Sequence, residues 1–408
     1  AHRGDLDIAT LFAEAIMNRT PWALWDIATG KPADGADTME AIHVLERAMA
    51  QPGGAQHPGL LHMYIHLMEM SPQPEQALRA ADQLRSLVPD AGHLRHMSTH
   101  IDVLCGHYAA TVKSNSDAIV ADRKFLEREG PVNFYSLYRC HNYHFKIYGA
   151  MFLGQYAPAL EAAEEMIATL PEELLRIESP PMADWLEGFV PMKMHVLIRF
   201  GKWAEIIAEP LPADAALFLV TTAMIHYAKA VAHAARGNVK AAEAEAALFK
   251  AAHARVPPTR YVFNNTCLDI LAVATAMMRG EIEYRKGNLQ EAFVHLRQAI
   301  TLDDNLPYDE PWGWMQPTRH ALGALLLEQG QVAEAEAVYR ADLGLDGTLR
   351  RACQHPENVW SLHGFHECLT RLGKTAEAAI IKQRLDIAAA RADVSIKASC
   401  FCRLGAAA

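Results

Sequence analysis

The sequence predicts an all-α fold, a superhelix of stacked helical hairpins (an α-solenoid). Three observations predict it. Apolar residues recur at helical spacing, as in Ala77, Leu78, Ala81, Leu84 and Leu87, while β-type alternation is almost absent. A turn of the form Gly-x-(Tyr, Trp, Val, Leu or Thr) punctuates the chain at Gly106, Gly154, Gly201, Gly237, Gly287, Gly330 and Gly373. A histidine pair also returns after 34 residues, from His62 and His66 in HMYIHLMEM to His96 and His100 in HLRHMSTHID. A fixed period in this range is the mark of a helical repeat array, in which equivalent residues sit side by side on neighbouring helices.

Composition sets the outer bounds. The chain has 408 residues, 51% hydrophobic and 21% charged, enough for a large core, and a solenoid covers residues 1–408 as one unit. A net charge of −10 argues against nucleic acid as a partner, because phosphate binding needs a basic surface. No apolar run reaches the roughly 18 residues of a membrane span. The opening AHRGDLDIATLFAEA reads as an amphipathic helix, with neither a signal peptide nor an initiator Met. The seven cysteines (Cys105, Cys140, Cys267, Cys353, Cys368, Cys400, Cys402) are sparse, odd in number and without disulfide-framework spacing. A reducing, cytoplasmic setting follows as the expectation. An exported form with its leader missing here stays open, as does an oligomer.

In chain order, each turn glycine suits a helix end that needs positive φ. The segments after the turns are Ala- and Glu-rich, as in APALEAAEEM, LQEAFVHLRQAI and VAEAEAVYRADL. Pro89, Pro171 and Pro307 close helices. The glycines lie 36 to 50 residues apart, so the repeats carry insertions, around 127–136, 172–190, 253–265 and 303–317. The pattern resembles the tetratricopeptide repeat family over most of the chain, as a divergent member lacking many signature aromatics and alanines. The blocks HMYIHLMEMSP, AGHLRHMSTHI, YDEPWGWMQP and SCFC also resemble those of a bacterial group with these repeats. That narrower resemblance implies relatives without implying an activity. The family resemblance implies a concave groove that binds peptides.

The histidines carry the functional signal. Aligned on the turn glycine (Pro72 in the first unit), His93 and His141 lie thirteen residues before it. His62, His96, His144, His320 and His363 lie ten before; His66, His100 and His195 lie six before; Glu69 lies three before. Spacings of 3, 4 and 3 make one helical stripe, the groove-lining stripe of the resembled family. Nine of the twenty histidines fall between His57 and His144, which marks 57–148 as the candidate site. Neutral imidazole is the commonest ligand of copper, iron and zinc, and an i, i+4 pair can hold one ion. His62, His66, His96 and His100 are the first metal ligands expected, with Glu69, His93, His141 and His144 as outer or second-site ones. Glu69 is the expected carboxylate ligand or general base, with Tyr64, and more weakly Tyr143 and Tyr148, as proton donors. The competing reading has the histidines bonded to one another and to Glu69 in a polar or peptide-binding groove.

Other segments add candidates. Cys400 and Cys402, in the tail 392–408, are thiolates suited to soft metals. Cys140 beside His141 is a candidate nucleophile if another helix supplies its partner. The 303–317 loop, with Asp309, Glu310, Trp312 and Trp314 between prolines, is suited to covering the groove. His363, His366 and Glu367 approach the first cluster only if the superhelix curls a full turn. No phosphate loop, HExxH or Gly-x-Ser-x-Gly is present. The expectation is a metal-dependent enzyme in about eight to ten hairpins, an oxidoreductase on a small molecule or peptide in preference to a zinc-type hydrolase. The alternatives are a non-catalytic peptide scaffold or a metal-delivery protein.

Overall fold

The computed structural model describes residues 4–403, so the end of the predicted tail, 404–408, lies outside it. The described residues form 21 α-helices, four 3-10 turns and two minimal strand pairs. Helices pair as antiparallel hairpins, from Leu6–Met17 with Thr38–Met49 to Val359–Arg371 with Thr375–Ala389. Among the described residues no helix is long and apolar enough to cross a membrane.

All seven turn glycines have positive φ, between 62° and 86°. That conformation lets the chain reverse without exposing the last carbonyls. At Gly154 the next N–H, that of Gln155, reaches back to the Ala150 carbonyl at 2.9 Å. The four insertions add what the repeat cannot supply. Residues 127–136 lead into the helix Ser136–Leu153, and 172–190 hold the short helices Glu172–Leu175 and Met182–Leu186. Residues 253–265 end in the antiparallel pair Tyr261–Val262 with Asn265–Thr266. The 303–317 loop is mostly irregular and buried.

The superhelix curls until its later hairpins touch its earlier ones. The Trp360 indole donates to the Met151 carbonyl at 2.7 Å, and a Cβ on Gly106 would lie 2.5 Å from the Pro356 carbonyl oxygen. The tail folds back inside. Asp393 accepts from the backbone N–H groups of Tyr156 and Ala157, at the start of the helix Tyr156–Ala168. One apolar core runs from Met70 to Cys402 and a second, under the first hairpins, from Ala13 to Ile101. Glu69 stands in sequence between Met68 of one core and Met70 of the other.

Candidate metal centre

Four helices build the cluster. Pro58–Glu69 carries His62, His66 and Glu69 on one face; the broken pair Gly92–His96 and Ser98–Leu104 carries His93, His96 and His100; Ser136–Leu153 carries His141. The helix break falls at Met97, between His96 and His100.

The imidazoles meet closely. Nε2 of His62 and His93 are 3.2 Å apart, Nε2 of His96 and His100 are 2.7 Å apart, and His141 Nε2 is 3.3 Å from His100 Nε2. Nδ1 of His66, His96 and His100 is engaged elsewhere, while that of His93 and of His141 is buried with no hydrogen-bond partner among the described residues. His66 and His100 each place Nδ1 at 2.7 Å from Glu69, on Oε1 and Oε2 respectively, and His96 Nδ1 lies 2.8 Å from Asn115 Oδ1. Three groups have donor atoms within 4.8 Å of one another: His62, His66, His93; His96, His100, His141; and His66, Glu69, His100, Glu310.

The 303–317 loop closes this floor from the far end of the sequence. Tyr308 donates to Glu69 Oε2 at 3.2 Å, and Glu310 reaches within 3.5 Å of His100 Nδ1 while accepting from the Trp22 indole at 2.9 Å. A cavity of about 360 Å³ opens above, bounded by His62, His66 and His93 on one side and Trp22, Tyr138 and Phe263 on the other. Trp22 and Phe263 hold positive φ, 52° and 47°, an unusual conformation for aromatic residues. Phe263 sets its ring 4.7 Å from that of His141.

The electrostatics favour neutral rings. Burial, and then the neighbouring imidazoles, push His62, His96, His100 and His141 well below the ordinary histidine range. Burial brings His93 to about 4 and lowers His66 against the pull of Glu310. Neutral imidazole is the form that binds metal. Burial pushes Glu69 up to about 8, and burial with the adjacent Glu69 charge pushes Glu310 well above its usual range. A cation nearby would act on both in the opposite sense.

The structure thus brings together His62, His66, Glu69, His93, His96, His100 and His141. It does not bring the others. Tyr64 turns to the opposite side of its helix and donates to Glu46 at 3.1 Å, because position 64 lies off the stripe of 62, 66 and 69. Tyr143 likewise faces Glu165. His144 points toward Met315 Sδ, 2.8 Å from Nε2, and the Phe189 ring, so the ten-before offset leaves the cluster in that repeat. Tyr148 stays on the inner face beside His100 and Tyr308, in a small neighbouring cavity. Cys400 and Cys402 are joined in a disulfide, which withdraws both thiolates, and they lie with Arg199, Trp314 and His320, outside all three donor groups. Cys140 has no imidazole partner and burial pushes its thiol up to about 12, the reverse of an activated nucleophile. Glu367 pairs with Arg403 and Arg371, and neither it nor His363 joins the cluster. Tyr308, Asn115, Trp22 and Phe263 were not expected at the site. Only Glu310 had a signal, its acidic place in the two-proline aromatic loop.

No family model matches the chain, and no curated protein matches it significantly. Among solved structures, the apo form of RapI is similar, at 12% identity over 92% of this chain and 97% of that one, with a TM-score of 0.34. At that score the likeness carries no argument about fold, ligand or activity.

Proposed function

We propose that the chain is a helical-repeat scaffold that binds transition metal on its inner face and offers it to a small-molecule or peptide ligand. The observation that carries this reading is the convergence of six neutral imidazoles and a carboxylate from three successive repeats, with donor atoms within 4.8 Å in each group. A buried polar nest of this size is costly unless its members are satisfied, and a metal ion satisfies several at once. Imidazole suits copper, iron or zinc.

A second reading, metal-dependent turnover, is favoured by the cavity above His62, His66 and His93. It gives a ligand room beside the donors, and the positive-φ aromatics on its wall are the kind of strained backbone that gathers at ligand sites. A redox reaction on a small molecule or peptide is the activity it would support.

Elemental analysis of protein purified without a histidine tag tests the proposal. Near-stoichiometric copper, iron or zinc is expected, lost when His66→Ala and His100→Ala are combined. Absence of metal, together with recovery of a bound peptide, would replace it with a plain peptide scaffold. Metal without turnover on any offered substrate would limit it to storage or delivery.

A further inference from the structure

The donor groups overlap, and the overlap is informative. His66 and His100 each belong to two of the three groups. Both already direct Nδ1 at Glu69, so the nitrogen each has left for its own histidine neighbours is Nε2. The six rings then divide into two sets of three, with Glu69 behind one member of each.

The hydrogen bonds around His96 and His100 fix where their protons sit. Asn115 donates its amide to the Thr111 carbonyl at 2.9 Å, which turns its oxygen toward His96 and places a proton on His96 Nδ1. Glu69 Oε2 accepts from the Tyr308 hydroxyl at 3.2 Å and meets His100 Nδ1 at 2.7 Å, so the geometry makes Glu69 the acceptor and puts the His100 proton on Nδ1. His96 and His100 therefore face each other with bare Nε2 lone pairs 2.7 Å apart, and His141 Nε2 completes the triangle at 3.3 Å from His100. Two lone pairs at that distance repel unless a cation lies between them. Three nitrogens at about 2.0–2.1 Å from a tetrahedral ion stand about 3.3 Å apart; His100 and His141 already show that spacing, and His96 has to move away from His100 to reach it. The outer pair, His62 and His93, repeats it at 3.2 Å.

We propose that the centre holds two copper or zinc ions, an outer one on His62, His66 and His93 facing the cavity and an inner one on His96, His100 and His141, with Glu69 as the shared carboxylate that orients His66 and His100. This rests on the metal-binding reading above and adds the number and division of the sites. Carboxylate-backed imidazoles of this kind bind metal more firmly and in a fixed tautomer. The outer ion meets the ligand; the inner one lies against Phe145, with only His141 of its three rings on the cavity wall.

The test is metal counting on the full chain. Protein stripped with chelator is reloaded with excess Cu(II) or Zn(II), desalted and analysed, with circular dichroism confirming the fold of each sample. Two ions per chain are expected for the unaltered protein. The pair His62→Ala with His93→Ala, and separately His96→Ala with His141→Ala, each reduce the count to one. One ion per chain in the unaltered protein overturns the two-site division and leaves the metal scaffold standing. No ion overturns both.

Discussion

The Tyr308 hydroxyl donates to the Glu69 carboxylate at 3.2 Å, joining residues 239 positions apart in the chain. This contact ties the late aromatic loop to the histidine floor, so the centre is built from both ends of the superhelix. Replacing Tyr308 with Phe removes one donor from a buried carboxylate. The expected cost is about 1–2 kcal/mol, read as a lower urea midpoint with unchanged slope. An unaltered midpoint would mean the loop does not hold Glu69.

Gly92 sits where the helix bearing His93 and His96 crosses the helix Tyr108–Glu129. A Cβ there would meet Asp122 Oδ1 at 1.9 Å, and Asp122 is pinned by Tyr135 and Asn142 at 2.8 and 2.6 Å. Gly92→Ala should therefore destabilise by about 1–3 kcal/mol and lower metal occupancy by displacing both histidines. A variant with native stability and native metal content would contradict the close crossing.

Much of the fold was legible because its rules are local. Glycine at a helix end needs no partner to declare itself, and the 3-4-3 spacing of His93, His96 and His100 is a property of one segment. The site was legible only where the repeat copies itself. Tyr64 and His144 fall outside the cluster because successive residues on a helix point about 100° apart and the register shifts in the third unit. Glu310 and Tyr308 reach the site through tertiary closure, and Asn115 through a second helix, which no spacing in the sequence encodes. The disulfide of Cys400 and Cys402 also escaped the reading, since a pair two residues apart resembles a ligand motif as much as a bond.

Tyr64 offers a control. Its hydroxyl faces Glu46, away from the imidazoles. Tyr64→Phe should leave metal content unchanged and cost at most about 1 kcal/mol. Reduced metal binding in this variant would place Tyr64 nearer the centre than described.

The buried histidines outside the cluster predict acid sensitivity. Burial holds His144 and His195 at about 3, below the usual 6.5. The unfolded chain therefore takes up protons that the folded chain refuses. Their contribution to stability is complete above about pH 6.5 and declines as pH falls toward 3, by about 1.4 kcal/mol per pH unit for each ring. Urea midpoints measured at pH 7.5 and pH 5 should differ in favour of the higher pH, and His195→Phe should reduce the difference. Equal midpoints would show these rings to be accessible to protons.

The central claim is that the imidazoles gather around metal. Anomalous diffraction from crystals of the reloaded protein, collected above and below the copper or zinc absorption edge, tests it most directly. The account predicts two peaks, one among His62, His66 and His93 and one among His96, His100 and His141. A map with no peak within coordination distance of these rings would contradict it.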